Sequence, residues 1–377
     1  MIAGTASNSN KPEGRTGGNM TSLMPLLRVA NIVAAVAIFS SVGAQAATYK
    51  LKIGAGHPPA GLWVSTMRDV FVPRITERVA KETGHKIEWT EAYGGTVCKL
   101  GECLEAVESG LLDIAEVHIP TEPAKLLAHN FMFFVPFGTP DPRLGAKLAW
   151  EVYEKTPALK KVLEDRYSQI FVSVGIVGNY GLVTNFKWNN VTELKGRKIA
   201  AIGPNMPWLQ GTGMVGVQST LNEAYTAMQT GVYEGWLMLA EPILSFKLNE
   251  VSKQFVNMDF GCMANPLITM NRDTFRGLPP EVQKIILDAG KEYNEVMGKV
   301  TYERQVESLS RMKELGLETR EADMPTKQAW ARELANIPKQ RFQEINNARM
   351  PGDVVYAYIA ALKAAGHTFP RDWEAER

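Results

Sequence analysis

At 377 residues the chain exceeds what one simple core needs, so one large or two medium domains are expected. A hydrophobic share of 45% and a charged share of 21% fit an ordinary globular protein and exclude a disordered or fibrous one. Lys and Arg total 41 against 40 Asp and Glu, and the cations are scattered, which excludes a polyanion groove and with it a nucleic-acid partner.

Residues 1–46 read as a leader and signal peptide. The first 23 residues are rich in Gly, Ser, Asn and Thr and cannot build a core. Arg28 then precedes the apolar run "VANIVAAVAIFSSV", which is short for a bilayer span. Ala44 and Ala46 satisfy the small-residue rule for cleavage before Ala47, so export to the periplasm is expected. A short membrane anchor is the alternative.

"YKLKIGAG" alternates and ends in Gly, as a strand delivering a loop does. A helix follows over 63–82, with Trp63, Met67, Val70, Phe71, Ile75 and Val79 on one face. "HKIEWTEAY" is a second strand. Cys98 and Cys103 sit at the next loop-to-helix transition, and Cys262 is the third cysteine of the chain. The Cys98–Cys103 spacing admits a disulfide if the loop bends back, and an exported protein would keep it. No further His or Cys falls at zinc-ligand spacing around the pair, and two buried free thiols are the alternative.

A short helix over 104–109 ends at Gly110, and "LLDIAEVHI" is a third strand. This strand–helix order calls for crossover connections and a parallel sheet. Helix returns over 144–166, and "IFVSVGIV", "GLVTNF", "KIAAI", "VYEGWLML" and "NPLITMN" form a second series of strands. From Pro280 the chain is almost wholly helical. The fold class is α/β, two units joined by crossing segments, with function expected in the cleft between them.

Chemistry is sparse. No nucleophile elbow, phosphate-binding loop or dinucleotide fingerprint is present, and no cofactor is expected. The five His residues include none at helical metal-ligand spacing, so no metal site is assigned. His57 and His118 each follow a strand and are placed to converge, although a lone strand-end His is commonly a structural hydrogen-bonding residue. Binding-type residues cluster at the other strand ends: Glu116, Asn179, Tyr180, Asn205, Trp208, Trp236 and Glu241. Aromatic walls with a few carboxylates hold small polar or cationic solutes. The same tryptophans serve equally well as core.

Several segments resemble the solute-binding subunits of TRAP transporters, the dicarboxylate-binding type. They are "LKIGAGHPP", "YGGTVCKLGECLEAVESGLLDIAEV", "VTELKGRKIAAIGPN", "LNEAYTAMQTGVYEGWLM" and "RGLPPEVQKIILDAGKE". The resemblance runs from Tyr49 to the end. It implies a two-domain periplasmic solute-binding fold with strands shared between domains, a ligand cleft and a long connecting helix. Domain I then takes 47–172 with 259–290, and domain II takes 173–258 with 291–377. It also implies delivery of a small solute to small and large membrane permease subunits. By position in the family, Lys99, His118 and Thr121 fall where relatives contact ligand. The sequence departs from the family at Ala200, where relatives carry an Arg that grips a ligand carboxylate, and at "GWLM", where they are polar. With no bidentate Arg, a simple dicarboxylate is not expected and a small amine, amino alcohol or other polar organic solute is, the alternative being that Arg197, Lys198 or Lys99 replaces the missing Arg from another direction. An exported enzyme using His57 or His118 and a ligand-sensing subunit on the same fold are the alternatives.

Overall fold

A computed structural model describes residues 46–375; the leader and its cleavage site lie outside the described residues. The first lobe opens with β1 (Thr48–Ala55), α1 (Leu62–Thr66), α2 (Val72–Thr83), β2 (Lys86–Ala92), α3 (Cys103–Glu108) and β3 (Ile114–Val117). The expected single helix over 63–82 carries one π turn, Met67–Phe71, between α1 and α2. Pro73 stands at the start of α2 and has no N–H to give the ladder, which accounts for the register change there. The next expected helix is likewise two, α4 (Pro142–Lys155) and α5 (Pro157–Tyr167), broken where Pro157 restricts Thr156.

The chain continues through β4 (Gln169–Val177), β5 (Tyr180–Thr184), β6 (Lys198–Ala201), β7 (Val215–Gln218), α6 (Leu221–Gln229), β8 (Gly235–Leu239), α7 (Ala240–Ser245), β9 (Gln254–Asn257) and β10 (Met263–Asn271). It closes with α8 (Arg272–Gly277), α9 (Pro280–Glu314), β11 (Glu318–Glu321), α10 (Met324–Glu333), α11 (Ile337–Asn347) and α12 (Val354–Ala364). One sheet has the order β2-β1-β3-β10-β4 and the other β11-β9-β5-β8-β6-β7. The sheets are mixed, not parallel throughout: β10 runs antiparallel to both β3 and β4, and β5 to both β8 and β9. Strands β5 and β10 each follow directly from a strand of the opposite sheet, β4 and β9, so each enters against the local direction.

The chain passes between the lobes three times, twice at adjacent points between strands and once along α9. The whole of β4 lies in the first sheet, so the outward crossing falls at Gly178–Asn179. The return falls between Asn257 and Met263. Asn179 stitches the two together: its Nδ2 donates to Asn257 Oδ1 (2.7 Å) and Asp259 Oδ1 (2.8 Å), and its Oδ1 accepts from the Gly261 N–H (3.0 Å). Both polar atoms of that amide have protein partners, which makes Asn179 a crossing-point residue.

Helix α9 has 35 residues and so spans about 50 Å. It packs along β4 at backbone distance. A Cβ on Gly290 would lie 2.2 Å from the Val172 carbonyl oxygen, and Asn294 Nδ2 donates to the Val174 carbonyl at 2.7 Å. One turn past the crossing, Gln305 Oε1 accepts from the Asn179 N–H (2.8 Å). The helix therefore connects the lobes and holds their junction.

Candidate functional site

His57 and His118 do converge, for a topological reason. β1 and β3 are adjacent and parallel, with Ala55 opposite Glu116, so residues just beyond their C-terminal ends lie side by side. His57 Nδ1 donates to Glu116 Oε2 at 3.1 Å, and the two imidazole centroids are 4.7 Å apart. Trp63 on α1 meets the His57 ring edge-on at 4.9 Å. The Glu116 side chain is fully buried, and its Oε1 has no hydrogen-bond partner.

This cluster forms the first-lobe wall of a cavity with about 580 Å³ of open space. Trp63, His118, Pro120, Phe133 and Asn265 face Tyr180 on β5, Ile202 after β6, and Trp236 to Leu239 on β8. Past Trp63, Val177 and Leu239 a second recess of about 390 Å³ reaches Glu241, Arg304 and Gln305. Both lobes and the connecting helix thus contribute. The indole N–H groups of Trp63 and Trp236 are buried with no protein acceptor.

Burial sets the electrostatics. His118 is pushed well below the ordinary imidazole range by burial and then by His57, so it is neutral. Burial raises the Tyr180 phenol. Burial also raises Glu241, against the opposing effects of Ser245 and Arg304. Ala200 is fully buried on β6 opposite Trp236 on β8. Paired residues project from the same sheet face, so Ala200 and the Trp236 indole share one face of the sheet.

The remaining expected contacts lie elsewhere. Trp208 is wholly buried, stacked on Phe133 and Phe260, with its Nε1 donating to the Phe133 carbonyl at 2.9 Å. It supports the cavity from behind. Asn205 is fully buried, neither amide atom has a partner, and it does not line the cavity. Lys99 is exposed on the disulfide loop, and Thr121 is exposed with its hydroxyl donating to the His118 carbonyl (2.8 Å). Cys98 and Cys103 are bonded, with Cα atoms 5.0 Å apart, and Cys262 is free and buried. That disulfide loop packs on Gly56, beside His57, and the Gly94 N–H donates to the His57 carbonyl at 2.9 Å.

Trp63, Asn265 and Arg304 line the cavities without having been singled out by sequence. Trp63 and Arg304 sit in helical patterns that account for them as face residues, and nothing local marks Asn265. No Ser, Thr or Cys side chain hydrogen-bonds either imidazole among the described residues.

Two α/β lobes joined by crossing strands around a cavity define a solute-receptor architecture. The chain belongs to the bacterial extracellular solute-binding protein family 7, the DctP family, which matches residues 70–345. A solute-binding protein of Sulfitobacter sp. (strain NAS-14.1) is 30% identical over 118 residues, covering 31% of this chain and 34% of that one. The chain superposes on a TRAP periplasmic solute-binding protein of Desulfovibrio salexigens, in an open form, with TM-score 0.73 and 20% identity over 87% of this chain and 98% of that one. A Bordetella bronchiseptica TRAP protein with bound (R)- and (S)-mandelate gives TM-score 0.67 at 19% identity, over 84% and 99%.

Proposed function

We propose that this chain is the extracytoplasmic receptor of a TRAP-type transporter, capturing a small organic acid and handing it to the small and large membrane permease subunits. The observation that carries this reading is a cavity walled from both lobes, whose sheets are joined by crossing strands at one stitched junction. Such lobes close on a solute by hinge motion.

The acid takes precedence over the amine suggested by the missing Arg. The two carboxylates offered as counter-charges are poorly placed for a cation: Glu116 is fully buried and bonded to His57 through Oε2, and burial disfavours the charged form of Glu241. The unspent indole donors of Trp63 and Trp236 favour an oxygen-bearing solute. The mandelate-bound relative points the same way. An aromatic and aliphatic wall suits a compact acid with an apolar body better than a dicarboxylate.

The test is thermal unfolding of the solute-stripped protein with (R)-mandelate, other small hydroxy acids, and 2-amino-1-phenylethanol, in which CH2NH3+ replaces the mandelate carboxylate. An acid from this set should raise Tm by mass action and the amine should not. A rise with the amine alone would refute the acid reading, and turnover of a bound solute would revive the enzyme reading. Periplasmic delivery is read by recovering the processed chain in a periplasmic extract, cleaved near Ala46.

A further inference from the structure

Among the described residues, one trio has the makings of a metal site: His57, Glu116 and His118 each offer a ligand atom within 4.8 Å of the others. The orphaned, buried Glu116 Oε1 strengthens that appearance. A hydrogen-bond chain from the neighbouring strand decides otherwise. Asn265, on β10 and 2% exposed, has an amide whose orientation is not free. Its Oδ1 accepts from the Ile119 N–H at 3.0 Å, so its Nδ2 is the atom facing His118 Nδ1, at 2.9 Å.

An amide nitrogen can only donate, so His118 Nδ1 must be the acceptor and carries no proton. A protonated imidazolium would set two donors against each other, so the ring is neutral and its single proton sits on Nε2. That second nitrogen, on a residue lining the cavity, has no protein partner among the described residues.

We propose that Asn265 sets what this cleft accepts, by locking His118 as the Nε2–H tautomer. The first-lobe wall then offers a neutral donor to an oxygen of the solute and withholds the lone pair that a divalent metal requires. This rests on the solute-capture reading for its biological meaning, but the tautomer itself does not depend on any solute. Asn265 is a positioning residue: it acts on the solute through His118. Metal-bound histidines donate their other N–H to a carboxylate or carbonyl, and here that place is taken by a donor.

Asn265→Asp reverses the polarity at one atom. The carboxylate would still accept from Ile119 N–H and would now accept from His118 Nδ1–H, moving the ring proton and baring Nε2. Long-range 1H–15N correlation spectra of the solute-free protein, with His118 assigned by its loss in His118→Ala, read the tautomer directly. The Nε2–H form is expected in the natural protein and the Nδ1–H form in Asn265→Asp. A wild-type Nδ1–H form, or an average of the two, would overturn the proposal, as would no change in the variant.

Zinc titration by calorimetry provides the second readout. The natural protein should bind Zn2+ no better than His118→Ala, and Asn265→Asp should bind it at least about tenfold more tightly than Asn265→Asp/His118→Ala. Zinc binding by the natural protein that depends on His118 would also overturn the proposal. If Asn265→Asp fails to fold, the wild-type spectrum and titration still decide. A protein with the expected tautomer but no melting shift from any solute would count against solute capture alone.

Discussion

Gly56→Ala probes how the disulfide loop holds the His57 strand end. A Cβ there would lie 2.7 Å from Leu100 N, 3.0 Å from the Lys99 carbonyl carbon and 3.1 Å from Leu100 Cα. All three are backbone atoms of a loop closed by Cys98–Cys103, so no flexible side chain can swing away. Overpacking of this kind costs about 1–3 kcal/mol. Removing Gly from the unfolded chain returns up to about 1 kcal/mol, so a net loss of about 1–2 kcal/mol is expected. The restraint is the loop, and a four-protein cycle isolates it. In the Cys98→Ala/Cys103→Ala background the loop is free to shift, and the Gly56→Ala penalty should fall below about 0.5 kcal/mol, since relaxation removes the overlap. The disulfide itself closes a short loop and contributes on the order of 2 kcal/mol or less. Urea unfolding of the four proteins gives the coupling energy, expected near 1 kcal/mol and above the roughly 0.3–0.5 kcal/mol at which independent sites add. Equal penalties in both backgrounds would refute the reasoning.

Two further predictions concern pH. His129 is fully buried, with Nδ1 2.7 Å from Tyr153 Oη, and burial pushes its pKa from 6.5 down to about 3. Its contribution is intact above about pH 6.5 and is lost as pH falls toward about 3, by up to about 1.4 kcal/mol per unit. The difference between the wild-type and His129→Gln stability curves should slope in that window and flatten above it; parallel curves would exclude His129 as the source. Glu241 is displaced the other way: its raised folded-state value favours the protonated form, a contribution present below its ordinary value of 4.5 and lost as pH rises through the raised one. Glu241→Gln, always neutral, should exceed wild-type stability at neutral pH, with the gap closing in acid. A constant gap across the range would show that titration of Glu241 is not its cause.

What was legible in the sequence was what a residue's own segment determines. Alternation placed β1 and an apolar run placed β3, and two adjacent parallel strand ends brought His57 and His118 together across the sequence. The short spacing of Cys98 and Cys103 likewise permitted their bond. Periodicity could not say which tryptophan faces a cavity: Trp208 and Trp236 are equally buried, yet only Trp236 lines it, because Trp208 stacks between Phe133 and Phe260 from distant segments. Nor could it show that Asn179 stitches two crossings, or that β10 runs antiparallel between β3 and β4. Asn265 is the clearest case, 147 positions from His118. A side chain's periodic position reports only the face it shares with its own element. Whether an imidazole gives or takes a proton is decided by the atom opposite it, and only the tertiary structure brings the Asn265 amide to that place.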